Sequence, residues 1–102
     1  MIIIGNKFVV DFGMAKAILD IYSETSLTFT ILEKDGAVMG ITETVAIKLT
    51  EIRPLLFMAT WKELNGNTIT QIQDYEKGIV HSNWTTPSGE FKNLTGSLKL
   101  AK

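Results

Sequence analysis

Turn-forming residues break this chain about every ten residues, and that spacing leaves room for little except short strands. Lys34-Asp35-Gly36, Asn65-Gly66, Glu76-Lys77-Gly78 and Pro87-Ser88-Gly89 are the clearest of these breaks. The segments between them are rich in β-branched residues: 12 Ile, 12 Thr and 5 Val in 102 residues. Such side chains fit a pleated surface better than a helix. Strands are expected near 2–12, 17–23, 26–33, 37–49, 54–64, 67–75, 79–86 and 90–100. The only helical turn the pattern allows lies around Gly13–Ala17. No linker, repeat or low-complexity tract divides the chain, so the expectation is one all-β domain over residues 1–102. Eight short strands joined by tight turns make an antiparallel up-and-down barrel the natural closure.

The turns also predict which residues point inward. Leu27, Phe29 and Ile31 alternate with Thr28 and Thr30, so the odd positions face the core. A three-residue loop at Lys34-Asp35-Gly36 would pair Ile31 with Met39 and Phe29 with Ile41. That puts Met39, Ile41, Glu43, Val45, Ile47 and Leu49 on the inner face. Asn65-Gly66 reads as a two-residue type I′ turn, which pairs Trp61 with Thr70, Ala59 with Ile72 and Phe57 with Asp74. Glu76-Lys77-Gly78 is given the same three-residue geometry as Lys34-Asp35-Gly36. Ile72 then faces Ser82 and Thr70 faces Trp84, with His81 and Asn83 outward.

In this register the inner face carries Glu43, Glu63 and Asp74 with Thr68, Thr70 and Ser82, beside Trp61 and Trp84. A packed core would not hold three unpaired carboxylates. A hollow eight-stranded barrel of the lipocalin-like (calycin) kind could, around one small ligand. Glu43, Trp61, Thr70 and Trp84 are expected at one level, with Glu63 one step toward the Asn65-Gly66 end. Two indoles and two carboxylates would suit a small ring or an amine-bearing ligand. Asp74 fits better as a cap on turn amides. Outward Leu56, Met58 and Leu64 would leave an apolar stripe suited to a homodimer.

Charge and composition exclude other classes. Ten basic residues oppose eleven acidic ones, and nine of the ten are scattered lysines. That is no footprint for nucleic acid or an anionic membrane. With no cysteine and only His81, no metal site and no cofactor are expected. Ile2-Ile3-Ile4 is too short for a signal peptide's apolar region, and no run nears the ~18 apolar residues of a membrane span. A cytoplasmic protein is the expectation.

From Gly40 onward the chain resembles a known family. Gly40-Ile41-Thr42-Glu43-Thr44-Val45 is followed by Ile52-Arg53-Pro54 and Trp61-Lys62-Glu63. Then come Gln73-Asp74-Tyr75-Glu76-Lys77-Gly78, Asn83-Trp84-Thr85 and Gly89-Glu90-Phe91. Their order and spacing are similar to the MoaF-related small calycin proteins. The resemblance implies an eight-stranded calycin barrel whose cavity positions map to Glu43, Trp61, Glu63, Asp74 and Trp84. It implies little about activity. The leading expectation is a barrel that binds a small hydrophobic or aromatic molecule at Glu43, Trp61, Glu63, Thr70, Asp74 and Trp84. A cofactor-independent enzyme using Glu43 and Glu63 as acid and base is the alternative, and a dimeric interaction protein is the third.

Overall fold

Alternation of apolar and polar residues along each strand sends one face inward and the other to solvent. In the computed structural model, which describes residues 3–101, eight such strands follow one another. They are β1 (Lys7–Asp11), β2 (Ala15–Ser23), β3 (Ser26–Lys34), β4 (Ala37–Arg53), β5 (Leu56–Lys62), β6 (Thr68–Asp74), β7 (Ile79–Thr85) and β8 (Phe91–Leu100). Each pairs antiparallel with the next, and β8 pairs with β1, so the sheet closes into a barrel. Closure removes the edges on which sheets aggregate.

No helix occurs among the described residues. The helical turn expected around Gly13–Ala17 is instead a tight bend. Phe12 N–H donates to the Ala15 carbonyl, Gly13 N–H donates to Asp11 Oδ1, and β2 begins at Ala15.

The core fills one end of the barrel. Phe8, Ile21, Leu27 and Val80 are almost wholly enclosed there, and Val10 and Leu19 are equally buried where this core meets the rest of the interior. Tyr75 is clasped between the edges of Phe8 and Phe57, with ring centroids 4.8 and 5.9 Å away. Ile3 is buried beneath this end, where the amide of Gly5 donates to Ile21 and that of Ile21 to Asn6. The outer face carries threonine pairs instead: the hydroxyls of Thr28 and Thr44 lie 2.7 Å apart, and those of Thr30 and Thr42 3.0 Å.

Three turns differ from their expected lengths. Asp35 and Gly36 both have positive φ, at 52° and 83°, and Lys34 pairs with Ala37. This is the two-residue type I′ turn, which requires positive φ at both central positions. A bulge in β4 at Met39–Gly40, opposite Leu32, then shifts the register, so Phe29 faces Glu43 and Ile31 faces Ile41. The extra residue sits in the strand rather than in the turn. The odd positions from Glu43 to Leu49 still face inward, whereas Met39 and Ile41, expected inward, are exposed at the turn end of this long strand.

At Asn65-Gly66 only Gly66 has positive φ, 90°, so the turn cannot be type I′. Glu63 N–H donates to the Asn67 carbonyl, which leaves a three-residue loop, 64–66, ending on a left-handed glycine. Trp61 therefore faces Ile69 and Ala59 faces Gln71. The next loop has four residues, 75–78, because Asp74 pairs with Ile79. Each loop is one residue longer than expected, so the two errors cancel across β6. β7 sits where it was expected relative to β5, with His81 and Asn83 outward. β6 alone is displaced by one residue, which turns Ile69, Gln71 and Gln73 inward and Thr68, Thr70 and Asp74 outward.

The seam between β1 and β8 depends on Gly96. A Cβ there would collide with the backbone carbonyl of Asp11. Only glycine lets the first strand cross this closely.

Candidate functional site

The end opposite the plug is open. There Val10, Phe12, Ala17, Leu19, Phe29 and Ile31 wall a pocket of about 110 Å³ together with Trp61, Ile69 and Trp84. Its polar lining comes from Lys16, Lys34, Glu63, Asn65, Asn67 and Gln71. The two tryptophans lie at one level, since Trp61 and Trp84 both pair with Ile69 from opposite sides.

The polar end of each indole is engaged. Trp84 Nε1 donates to the buried Ser82 Oγ at 3.0 Å, and Trp61 Nε1 donates to Glu63 Oε2 at 3.3 Å. Phe12 meets Trp84 edge to face at 6.0 Å, and Lys34 Nζ lies 5.9 Å from the Trp84 ring centre, within cation–π reach. The β5–β6 loop forms the rim and leans on Pro87, which a side chain at Gly66 would strike.

Glu63 is the electrostatic centre. Partial burial strips water from its carboxyl and raises its pKa above the ordinary glutamate value, and the charge of Glu43 raises it further. Hydrogen bonds from Trp61 and Asn67 and the charge of Lys34 pull the other way, but desolvation dominates. Glu43 lies outside the lining and is held by its own contact, accepting the Leu64 N–H at 2.7 Å.

Three of the six residues singled out from sequence, Trp61, Glu63 and Trp84, therefore line the pocket, and Glu43 stands behind its rim. The other two lie outside. Thr70 is exposed, between Thr60 and Asn83 on the outer face. Asp74 Oδ1 accepts the amides of Glu76 and Lys77 at 3.1 and 2.9 Å, as a turn cap. Both follow from the displacement of β6. Its true inner face brings in Gln71, which sequence reasoning missed. The available signal was charge: the set Ile69, Gln71, Gln73, Tyr75 contains no ionised group, whereas the alternative set would bury Asp74. Lys16 and Lys34 were also missed, because both sit at strand ends where alternation gives no direction.

His81 points outward, with Nδ1 3.1 Å from Thr95 Oγ1. Leu56 and Met58 are half-buried, and Leu64 is bare at 91% exposure. No helix among the described residues is long and apolar enough to cross a membrane.

Comparison with known proteins supplies two findings. The profile of the family described as MoaF-like matches residues 4–99. A crystal structure from Burkholderia vietnamiensis, of a protein carrying a provisional beta-lactamase description, superposes with a TM-score of 0.87. It covers 96% of this chain and 94% of its own at 22% identity, a likeness of fold alone. No curated protein matches.

Proposed function

This chain belongs to the MoaF-like family, and from its pocket we propose that it binds a small organic molecule, one apolar or aromatic ring in size. The observation that carries this reading is the pocket of about 110 Å³, walled by Trp61, Trp84 and Phe29 and met by a few convergent polar groups. That combination is the usual form of a small-molecule site. The pocket is smaller than the apolar cavity of about 150 Å³ that encloses benzene, so a single ring is the upper limit and would keep part of its surface in the open mouth.

A second reading rests on Glu63. A carboxyl with a raised pKa beside a second carboxyl suits proton transfer. Here Glu63 would hold or release the proton, and Glu43 would tune it. The provisional beta-lactamase description of the structural neighbour draws no support from these residues. No serine among the described residues lines the pocket, and Ser82 Oγ is occupied by the Trp84 N–H.

The test is titration of intrinsic tryptophan fluorescence with single-ring compounds, paired with thermal melts. Saturable change together with a concentration-dependent rise in melting temperature is expected, because a ligand that binds only the folded state stabilises it by mass action. A panel in which no ring compound moves either signal overturns the reading.

A further inference from the structure

Gln71 forms part of the pocket floor, and behind it a line of polar side chains runs down the inner face of β6 into the plug. Tyr75 Oη donates to Gln73 Oε1 at 2.8 Å, and Gln73 Nε2 donates to Gln71 Oε1 at 2.9 Å. Gln73 is wholly buried, and Gln71 and Tyr75 nearly so. A primary amide has a donor end and an acceptor end, so two stacked glutamines could run in either direction. The phenol decides. Were the line reversed, Gln73 would donate to the Tyr75 oxygen, and the phenolic hydrogen would be left without an acceptor among Phe8 and Phe57. An unmade buried hydrogen bond is the more costly state. The line therefore runs from Tyr75 through Gln73 to Gln71, and the Gln71 oxygen is consumed.

What remains is the Gln71 NH2 group. It makes no hydrogen bond among the described residues, yet no fully enclosed side-chain nitrogen or oxygen among them lacks a partner. Its hydrogens open onto the pocket that Gln71 lines.

We propose that Gln71 is the specificity residue of this pocket, its NH2 group donating to a neutral carbonyl oxygen carried by a single-ring ligand. The inference rests on the binding reading above and deepens it. A neutral oxygen is preferred because the two lining cations are already engaged, Lys16 with Asp11 and Glu33 and Lys34 with the charge of Glu63, so an anion beside Gln71 would be desolvated without a free partner. Tyr75 touches no ligand. It is a positioning residue, acting through Gln73 to keep a donor rather than an acceptor facing the ring.

The experiment uses two probes of similar shape, acetophenone and ethylbenzene, titrated against the intact protein by calorimetry and by 15N-resolved NMR of the side-chain amides. Acetophenone is expected to bind roughly tenfold more tightly, the worth of one hydrogen bond made in a dry site. The Gln71 NH2 resonances are expected to shift on its addition and not on addition of ethylbenzene. Gln71→Met should abolish the preference while keeping ethylbenzene affinity. Tyr75→Phe should weaken the preference several-fold by freeing the line to reverse, an effect that loss of stability alone would not produce. Equal affinity of the two probes, or unmoved Gln71 resonances, overturns the assignment and leaves ring binding standing. Failure of both probes to bind overturns this assignment, and the proposed function falls with it only when the rest of the ring panel fails as well. The resonance shift needs no variant, so a Gln71→Met protein that does not fold still leaves a decisive measurement.

Discussion

The two ends of the barrel use aromatic rings to opposite effect. At the plugged end Phe8, Phe57 and Tyr75 interlock edge to face, and the one polar atom among them is satisfied by Gln73. At the open end Phe12, Trp61 and Trp84 leave a space between them, and their indole nitrogens are turned aside to Ser82 and Glu63. The same residue types are spent on cohesion at one end and on a ligand-sized gap at the other. The lesson is that the plug holds the barrel together so that the mouth need not. A region with fewer mutual contacts is the one free to host function.

The largest effect is expected at the plug. Phe8→Ala should cost about 3–5 kcal/mol, the range for deleting a buried aromatic ring, as read from urea melts. Trp84→Ala at the half-buried mouth should cost clearly less. Equal losses would erase the distinction between the ends.

The join between them comes next. Gln73→Leu removes the middle of the polar line and leaves the Tyr75 hydroxyl and the Gln71 oxygen unpaired. About 1–3 kcal/mol of destabilisation is expected, whereas Gln73→Glu, which retains the acceptor, adds a buried charge and should become worse as pH rises. A neutral outcome for Gln73→Leu would mean that the line contributes nothing to the plug.

The mouth should respond to pH. Glu63 has a folded pKa above its unfolded one, so the folded state holds the proton more tightly. Its contribution is fully present below the unfolded value and is lost as pH rises through the folded value. Glu63→Gln should flatten that fall across the weakly acidic range and change stability at neutral pH by less than about 1 kcal/mol, since the group is partly solvated. Paired melts from pH 4 to 7 read it. A slope unchanged in the variant would place the Glu63 carboxyl in bulk-like water.

The smallest effect sharpens the register. Thr70→Ala on the outer face should shift stability by no more than about 0.5 kcal/mol and leave ligand affinity untouched. A strong loss of affinity would put Thr70 back inside the barrel.

Most of the fold was legible because turn chemistry and β-branched segments are local signals. Eight strands, the inward Glu43–Leu49 face and the outward His81 and Asn83 all followed from them. The β6 face was not legible. Its two alternatives, one containing Ile69 and the other Ile72, are nearly matched in hydrophobicity, and Asn-Gly serves a two-residue turn or a three-residue loop equally well. Asn65 itself decides between them by declining positive φ, a choice made by tertiary contacts at the rim. Asp35, next to Gly36, made the opposite choice. Thr70 and Asp74 were therefore assigned inward, and Gln71, on which the inference about the pocket floor rests, went unseen.

The position of β6 between two loops that each hold one residue more than expected bears on how such a pocket can evolve. A one-residue deletion before the strand, balanced by a one-residue insertion after it, would act like paired compensating frameshifts. Chain length and every other strand would stay as they are. The strand between would present Thr70 and Ile72 to the interior in place of Ile69 and Gln71. Relatives that share this barrel can thus exchange an entire pocket wall through two small indels, without substituting a single lining residue.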